Sequence, residues 1–500
     1  MIAFLGPGEC VGPKNPVADS EISSYQRSSS TSLVDTINVL KCVAAPASRA
    51  ESISPQVAGP HPMRPIRCAT LFLGLVGFLG LAGLAAMAVA ADVPTRTNAA
   101  RIDHPFAATD APWWRGLAGD GSVSADQAAP LEWSDAENVL WKVTVPGRGH
   151  GSPTVVGSHV YLPLAEPETE TQSVLALDCA TGKELWRTAV HQGKFDGKGN
   201  AKSSHASSTL ACDGERLFAT FLNDNAIHCT ALSRAGKVLW TRRVAEFVNH
   251  QGFGSSPVIY GPLVLVSADS KQIGGKVVGL DRLTGEVRWT RERPKLPNYT
   301  SPIVLNVAGR DQCVLIGCDV VESLDPLTGK VLWETAGSTE ECVTTTVTDG
   351  RHIYTSGGYP KNHVAAIVAD GSGKVAWANG SRVYVPSMVI REGYLYAILD
   401  AGVAVCWKAD TGEELWKQRI GGAFTASLVL VGDKILGTDE AGKTTVWQAS
   451  PDKFEQVAEN KLGDEAFATP TVCGGRMYHR VATVKDLQRQ EWLYCVGRKE

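Results

Sequence analysis

Three histidines stand just ahead of three consecutive sequence units. His150, His205 and His250 precede Ser152, Ser208 and Ser256 by two, three and six residues. Three neutral imidazoles brought together from neighbouring units are a donor set for Zn²⁺ or Cu²⁺. The unequal offsets argue against a common focus, so each ring is expected to hydrogen-bond its own loop and the chain to hold no metal. Glu340 and Glu341 lie ahead of a later unit and are expected farther round the structure, where they could add a carboxylate. Ca²⁺ would ask for more oxygen donors than that. No spacing of nucleophile and base stands out, so no catalytic residue is assigned. There is no adjacent Cys-Cys pair and no Cys-x-x-Cys-His haem attachment site.

What positions these residues is a repeat. TGKELW (181–186), AGKVLW (235–240), TGEVRW (284–289), TGKVLW (328–333), SGKVAW (372–377) and TGEELW (411–416) are one phrase written six times. The intervals between Trp186, Trp240, Trp289, Trp333, Trp377 and Trp416 are 54, 49, 44, 44 and 39 residues. That length suits a unit of four short strands with tight turns. A second phrase opens each unit: Ser or Thr, an apolar run, a turn, then a second apolar run, as in SPTVVGSHVY (152–161) or SPVIYGPLVL (256–265). Two strands joined by a hairpin would be written in this way. Eight such starts can be counted, at 152, 208, 256, 301, 345, 387, 427 and 469.

The eighth unit ends at EWLYCVG (491–497), before its fourth strand. An unclaimed strand, ENVLWKVTVPG (137–147), carries Trp141 ahead of the first start. A first strand that completes the last unit closes a ring and leaves no long open edge. The expectation is an all-β, eight-bladed β-propeller over residues 137–497. Seven blades is the alternative count, because the seventh unit has Ser-Pro-Asp in place of the Thr-Gly turn and puts Val457 near the Trp position.

The full phrase ALDCATGKELW (176–186), with GLDRLTGEVRW and SLDPLTGKVLW beside it, resembles the tryptophan-docking motif of the quinoprotein-type propellers built from PQQ-like repeats. The resemblance covers the whole repeat region. It implies that Trp141, Trp186, Trp240, Trp289, Trp333, Trp377 and Trp416 are structural, each sandwiched between neighbouring blades. Such a ring buries a large apolar face and keeps an N–H to donate. Catalytic members of this class hold pyrroloquinoline quinone (PQQ) with Ca²⁺ over the axis, beside a disulfide of adjacent cysteines that this chain lacks. In size the chain is similar to the non-catalytic lipoprotein propeller of the outer-membrane β-barrel assembly machinery. It departs from that pattern in having no lipobox cysteine after its apolar run.

The remainder of the 500 residues is a preface. Residues 63–91 have Arg64 and Arg67, then an apolar run from Ala69 to Ala91 ending in small residues. This is the layout of a cleaved secretory signal peptide. The alternative is a membrane anchor through 69–91, since the run is long enough to span a bilayer. Residues 1–62 are expected to be a non-native extension or disordered, with translation beginning at Met63. Residues 92–136 are expected to be a linker and lead-in.

A net charge of −4 gives no electrostatic case for binding nucleic acid. Nine of the 12 cysteines fall in the repeats without a disulfide-like spacing, and Cys212 and Cys473 occupy positions where other units have Val or Tyr. The loops 191–206 and 246–256 are expected at one mouth of the channel, the first solvated, the second carrying Phe247 and Phe253. These observations lead to a periplasmic or secreted scaffold, without cofactor, that binds a protein partner in the cell envelope. The alternative is a PQQ-dependent alcohol or sugar dehydrogenase.

Overall fold

In the computed structural model, Ile102 and residues 104–499 are described, apart from 196 and 198. The extension 1–62 and the segment 63–91 expected to be a signal peptide or anchor lie outside the described residues. Eight sheets follow one another along the chain, spanning 154–192, 211–246, 258–293, 303–336, 347–379, 389–419, 429–461 and 471–497. Each of the first seven contributes four antiparallel strands in sequence order. The eighth has three, and Val139–Val145 supplies the fourth by pairing antiparallel with Gln488–Gly497, placing Trp141 opposite Cys495. The protein is therefore an eight-bladed β-propeller closed by its N-terminal strand. Its only helix among the described residues is one 3₁₀ turn, Ala125–Gln127.

The repeated phrase acts at the blade junctions. Asp178 Oδ1 accepts from the backbone N–H groups of Ala180 and Thr181 and from the Thr181 hydroxyl, fixing the turn that precedes the fourth strand. Asp281 and Asp325 do the same for Thr284 and Thr328. Each turn presents a glycine to the tryptophan of the preceding blade. A Cβ on Gly182 would sit 2.6 Å from Trp141 Cε3, and Gly236, Gly285, Gly329 and Gly412 lie equally tight against Trp186, Trp240, Trp289 and Trp377. The indole N–H groups of these rings donate to turn carbonyls of that next blade: Trp141 to Cys179 at 2.9 Å, Trp186 to Arg234 at 2.9 Å, Trp377 to Ala409 at 2.8 Å. Trp333 differs, donating instead to Gln312 Oε1 within its own blade at 2.7 Å.

The seventh unit is a true blade, with strands Val429–Val431, Lys434–Thr438, Lys443–Gln448 and Gln456–Lys461. Ala458, opposite Val446, holds the register that Trp occupies elsewhere, and Val457 falls in the bulge beside it. The vacancy is filled from outside the repeats. Trp133 is buried among Val446, Met477 and Val496, with Ala458 packed against the same cluster. Its backbone N–H donates to Asn460 Oδ1 at 2.9 Å.

The start phrase has a second cause. The hydroxyl at the head of one inner strand accepts the backbone N–H at the head of the preceding one. Ser152 N–H donates to Thr209, Thr209 to Ser256, Ser256 to Ser301, Thr345 to Ser387, Ser387 to Ser427 and Ser427 to Thr469, all at 2.9–3.0 Å. In the second blade the residue in this ring is Thr209; Ser208 is turned to the Ser255 carbonyl.

Candidate functional site

These hydroxyls border a cavity of about 580 Å³ at the channel mouth. Loops from around the ring converge there, as the repeat geometry requires.

Residues 104–123 close the other end. The first strand of each blade runs away from the mouth to a hairpin, and at that far end Ser122–Val123 pairs parallel with Leu430 and Val431. Ala111 bridges Val155, and Trp113 is buried against Ala211 and Phe218. Trp114 reaches the mouth cavity from below, its indole donating to Thr345 Oγ1 at 2.7 Å. Arg115 donates to the carbonyls of Met388 and Leu428 at 2.6 and 2.8 Å. Burial pulls its pKa down to about 10, against the opposing field of the Asp120 carboxylate. The sequence reading missed this plug; the signal for it was the Pro-Trp-Trp-Arg run at 112–115, which has no place in the repeat.

The three histidines do not converge on one point. His150 and His250 line the mouth cavity, whereas His205 lines a separate small pocket and stacks on Phe195 at 4.2 Å. His150 lies tilted against Phe467, ring centroids 4.7 Å apart. Its pKa is held well below the ordinary value by burial and by the guanidiniums of Arg148, Arg480 and Arg489. His250 Nδ1 lies 3.0 Å from the Tyr299 hydroxyl and 3.8 Å from Glu341 Oε1, with Lys271 Nζ 3.5 Å from its Nε2. The expectation that Glu340 and Glu341 lie far from these histidines is thus corrected. Glu341 reaches His250, and it also accepts from the Tyr384 hydroxyl at 2.9 Å. Burial, with Glu341 close by, raises the pKa of both Tyr299 and Tyr384, so both are hydroxyl donors at neutral pH.

Among the described residues no three His, Cys, Asp or Glu side chains are arranged as a metal's donors. The nine cysteines of the propeller are free thiols. Cys212 is pushed up to about 12 by burial, which suits a small core residue better than a nucleophile.

The 191–206 and 246–256 loops both reach the mouth. Lys202 Nζ holds both carboxylate oxygens of Glu440, in the seventh blade, at 2.8 and 2.7 Å. The Asn200 side chain donates to Gln251 Oε1, and Asn249 to the Gly197 carbonyl, both at 2.9 Å. The first loop is thus a strap across the mouth. Phe247 and Phe253 are buried edge-to-face at 5.8 Å, so they are packing residues.

Eight four-stranded blades, tryptophan docking on turn glycines and a closing N-terminal strand define a propeller of PQQ-like repeats. The chain belongs to the family described as outer membrane protein assembly factor BamB, whose profile matches residues 170–418 and 360–457. It is 28% identical over 210 residues to outer membrane protein assembly factor BamB of Burkholderia pseudomallei, covering 41% of this chain and 47% of that one. Over 219 residues it is 27% identical to a polyvinylalcohol dehydrogenase of a Pseudomonas species, covering 41% of this chain and 32% of that one. The aligned part thus spans less than half the length of either relative. Among solved structures, BamB from Moraxella catarrhalis superposes with a TM-score of 0.51 at 15% identity, over 71% of this chain and 99% of its own. A europium-containing methanol dehydrogenase superposes at 0.55 and 12% identity, over 78% of this chain and 98% of its own. At these identities the superpositions show the fold alone.

Proposed function

We propose that the chain is a non-catalytic scaffold, exported to the cell envelope through residues 63–91, that holds a protein partner with the loops around its channel mouth. The observation that carries this reading is the BamB family match across most of the repeats. The mouth supports it: two interlocked loops, one of them a strap across it, make a shaped surface, and the far end of the channel is filled by Trp113, Trp114 and Arg115. A propeller alone carries no function, so the claim is on the loops. Photo-crosslinkers placed in 193–206 and 246–256 and activated in native membranes are expected to capture an envelope protein. Recovery of monomeric protein alone, under conditions that preserve known envelope complexes, would count against the scaffold.

The polyvinylalcohol dehydrogenase relative favours a second reading, a quinone-dependent dehydrogenase. Purified protein supplied with PQQ and Ca²⁺ should then reduce a dye in the presence of alcohols or sugars. The donor set at the mouth leads us to expect no turnover.

A further inference from the structure

One corner of the mouth, where the eighth, first and seventh blades meet under the strap, holds more positive charge than it neutralises. Arg480 is buried and donates to Glu491 Oε2 at 2.7 Å, and Arg489 pairs with Glu465 at 2.7 Å and Glu491 at 3.0 Å. Lys202 is paired with Glu440. Arg148 is left over. Its half-buried guanidinium lies 6.0 Å from the Phe467 ring and, among the described residues, donates only to the Ala201 carbonyl, at 3.4 Å, with Glu465 and Glu491 near enough to act on its charge without pairing with it. Its Nε is buried with no partner among the described residues, and so is Nε2 of His150, whose ring lies tilted against the same Phe467. Four cations thus stand among three carboxylates beside two unsatisfied nitrogens; His150 and Lys202 line the mouth cavity, and Arg148 adjoins it through Phe467, which lines it too. Buried polar groups without partners are costly and uncommon, and here two occur side by side.

We propose that Arg148, His150 and Lys202 form an anion-receiving corner of the mouth cavity, which takes a carboxylate carried on an apolar or aromatic body. Arg148 supplies the unpaired charge and a planar donor face matched to a carboxylate. Neutral His150 supplies an N–H without adding charge. Lys202 already grips one carboxylate, that of Glu440, with both oxygens in contact, so passing it to a ligand exchanges like for like. A single negative charge matches the single surplus cation, which sets a carboxylate ahead of a dianionic phosphate. The body of the ligand has Trp114, Phe253 and Phe467 to lie against. The carboxylate could be that of a free organic acid or the end of a protein chain. The assignment stands apart from the scaffold reading, because it concerns what fills the cavity and not what docks on the rim.

The full chain is titrated calorimetrically with 3-phenylpropionate, with the neutral alcohol 3-phenylpropan-1-ol, and with inorganic phosphate. The acid is expected to bind at one site, with the alcohol and phosphate weaker by about tenfold or more, the scale of one charge-assisted contact. Arg148→Gln is expected to weaken the acid by about tenfold and Lys202→Ala, an exposed change that leaves the fold alone, by a smaller factor. Glu440→Gln, which frees Lys202, is expected to tighten it. Equal binding of acid and alcohol, tighter binding of phosphate, affinity unmoved in both cation variants, or no binding of the acid would each overturn the assignment. A short peptide with a free carboxy terminus, set against its amide, separates the sources. Tighter binding of the peptide acid than of 3-phenylpropionate points to a chain end, and exclusion of both peptides points to a free acid.

Discussion

Trp141 lies flat against Gly182, so close that a Cβ there would stand 2.6 Å from the indole, while its N–H donates to Cys179 three residues earlier in the same turn. Tryptophan and glycine are the two halves of one joint, and the joint is also the seam that closes the ring. Trp141→Ala, removing a buried ring, is expected to cost about 3–5 kcal/mol in denaturant unfolding. Gly182→Ala should also be strongly destabilising, because the residue sits at φ +72° and the added methyl meets the ring and Val143. The double mutant should cost less than the sum of the two, since both act on one contact.

The seventh junction makes the converse prediction. Its fourth strand has Ala458 where the others have Trp, and Trp133 fills the gap from the N-terminal segment. Trp133→Ala is therefore expected to destabilise by about 3–5 kcal/mol, on the scale of a docking tryptophan, although it lies outside every repeat. A loss below 1 kcal/mol would show that Trp133 rides on the junction and does not support it.

The repeats were legible because the same contact is made again and again, so its residues recur at a period. Asp178, Thr181, Gly182 and Trp186 each have a fixed local task, and the sequence writes all four together. The closing strand was legible for the same reason, since Trp141 belongs to the pattern. Residues 104–136 follow no period. Arg115 finds its partners 273 and 313 residues away, and no local pattern can encode that. The unequal histidine offsets carry no common focus, and the structure turns His205 to Phe195 and His250 to Tyr299 of another loop. They could not reveal that Glu341 crosses to His250, because loop length says how far a residue can travel and not where it turns.

The acid limb of stability should come from buried imidazoles. His479 is fully buried with neither ring nitrogen partnered, and burial draws its pKa down to about 4; His191 is drawn down to about 4 by burial and by neighbouring His228. With folded values below the unfolded value near 6.5, the unfolded chain binds protons first as pH falls. Stability from these groups is therefore full above about pH 6.5 and lost progressively down to about pH 4. Melting temperature measured from pH 7.5 to 4.5 is expected to fall along this limb. His479→Leu, which replaces an unsatisfied buried polar ring with an apolar side chain, should flatten it without lowering Tm at neutral pH.

The strap makes a prediction about access more than stability. Lys202 is largely exposed although the Glu440 side chain is mostly covered, so their ion pair stays open to solvent on the lysine side and should contribute on the order of 1 kcal/mol. Glu440→Gln is expected to leave Tm within a degree or two while trypsin cleaves at Lys194 or Lys202 several times faster. High salt should bring the unaltered protein toward the same behaviour, by screening the pair. Cleavage at an unchanged rate in low salt would mean that the Asn200–Gln251 and Asn249–Gly197 contacts hold the loop without it.

Metal content gives the last prediction. His150 and His250 line the mouth, but His205 lies in a different pocket, and both cavity histidines already have neighbours that oppose a cation. His150 sits among three guanidiniums, and His250 has the Lys271 ammonium at 3.5 Å from its Nε2. A dication at either ring would be repelled by these charges at short range, and the nearby carboxylates are already engaged, Glu491 and Glu465 with arginines and Glu341 with Tyr384. Protein purified without a histidine tag is therefore expected to carry well under one equivalent of Zn or Cu by elemental analysis, and replacing His150, His205 and His250 with Ala should not change that. Stoichiometric metal that disappears in the triple mutant would show that the mouth rearranges around an ion. It would also move an enzymatic role ahead of the scaffold.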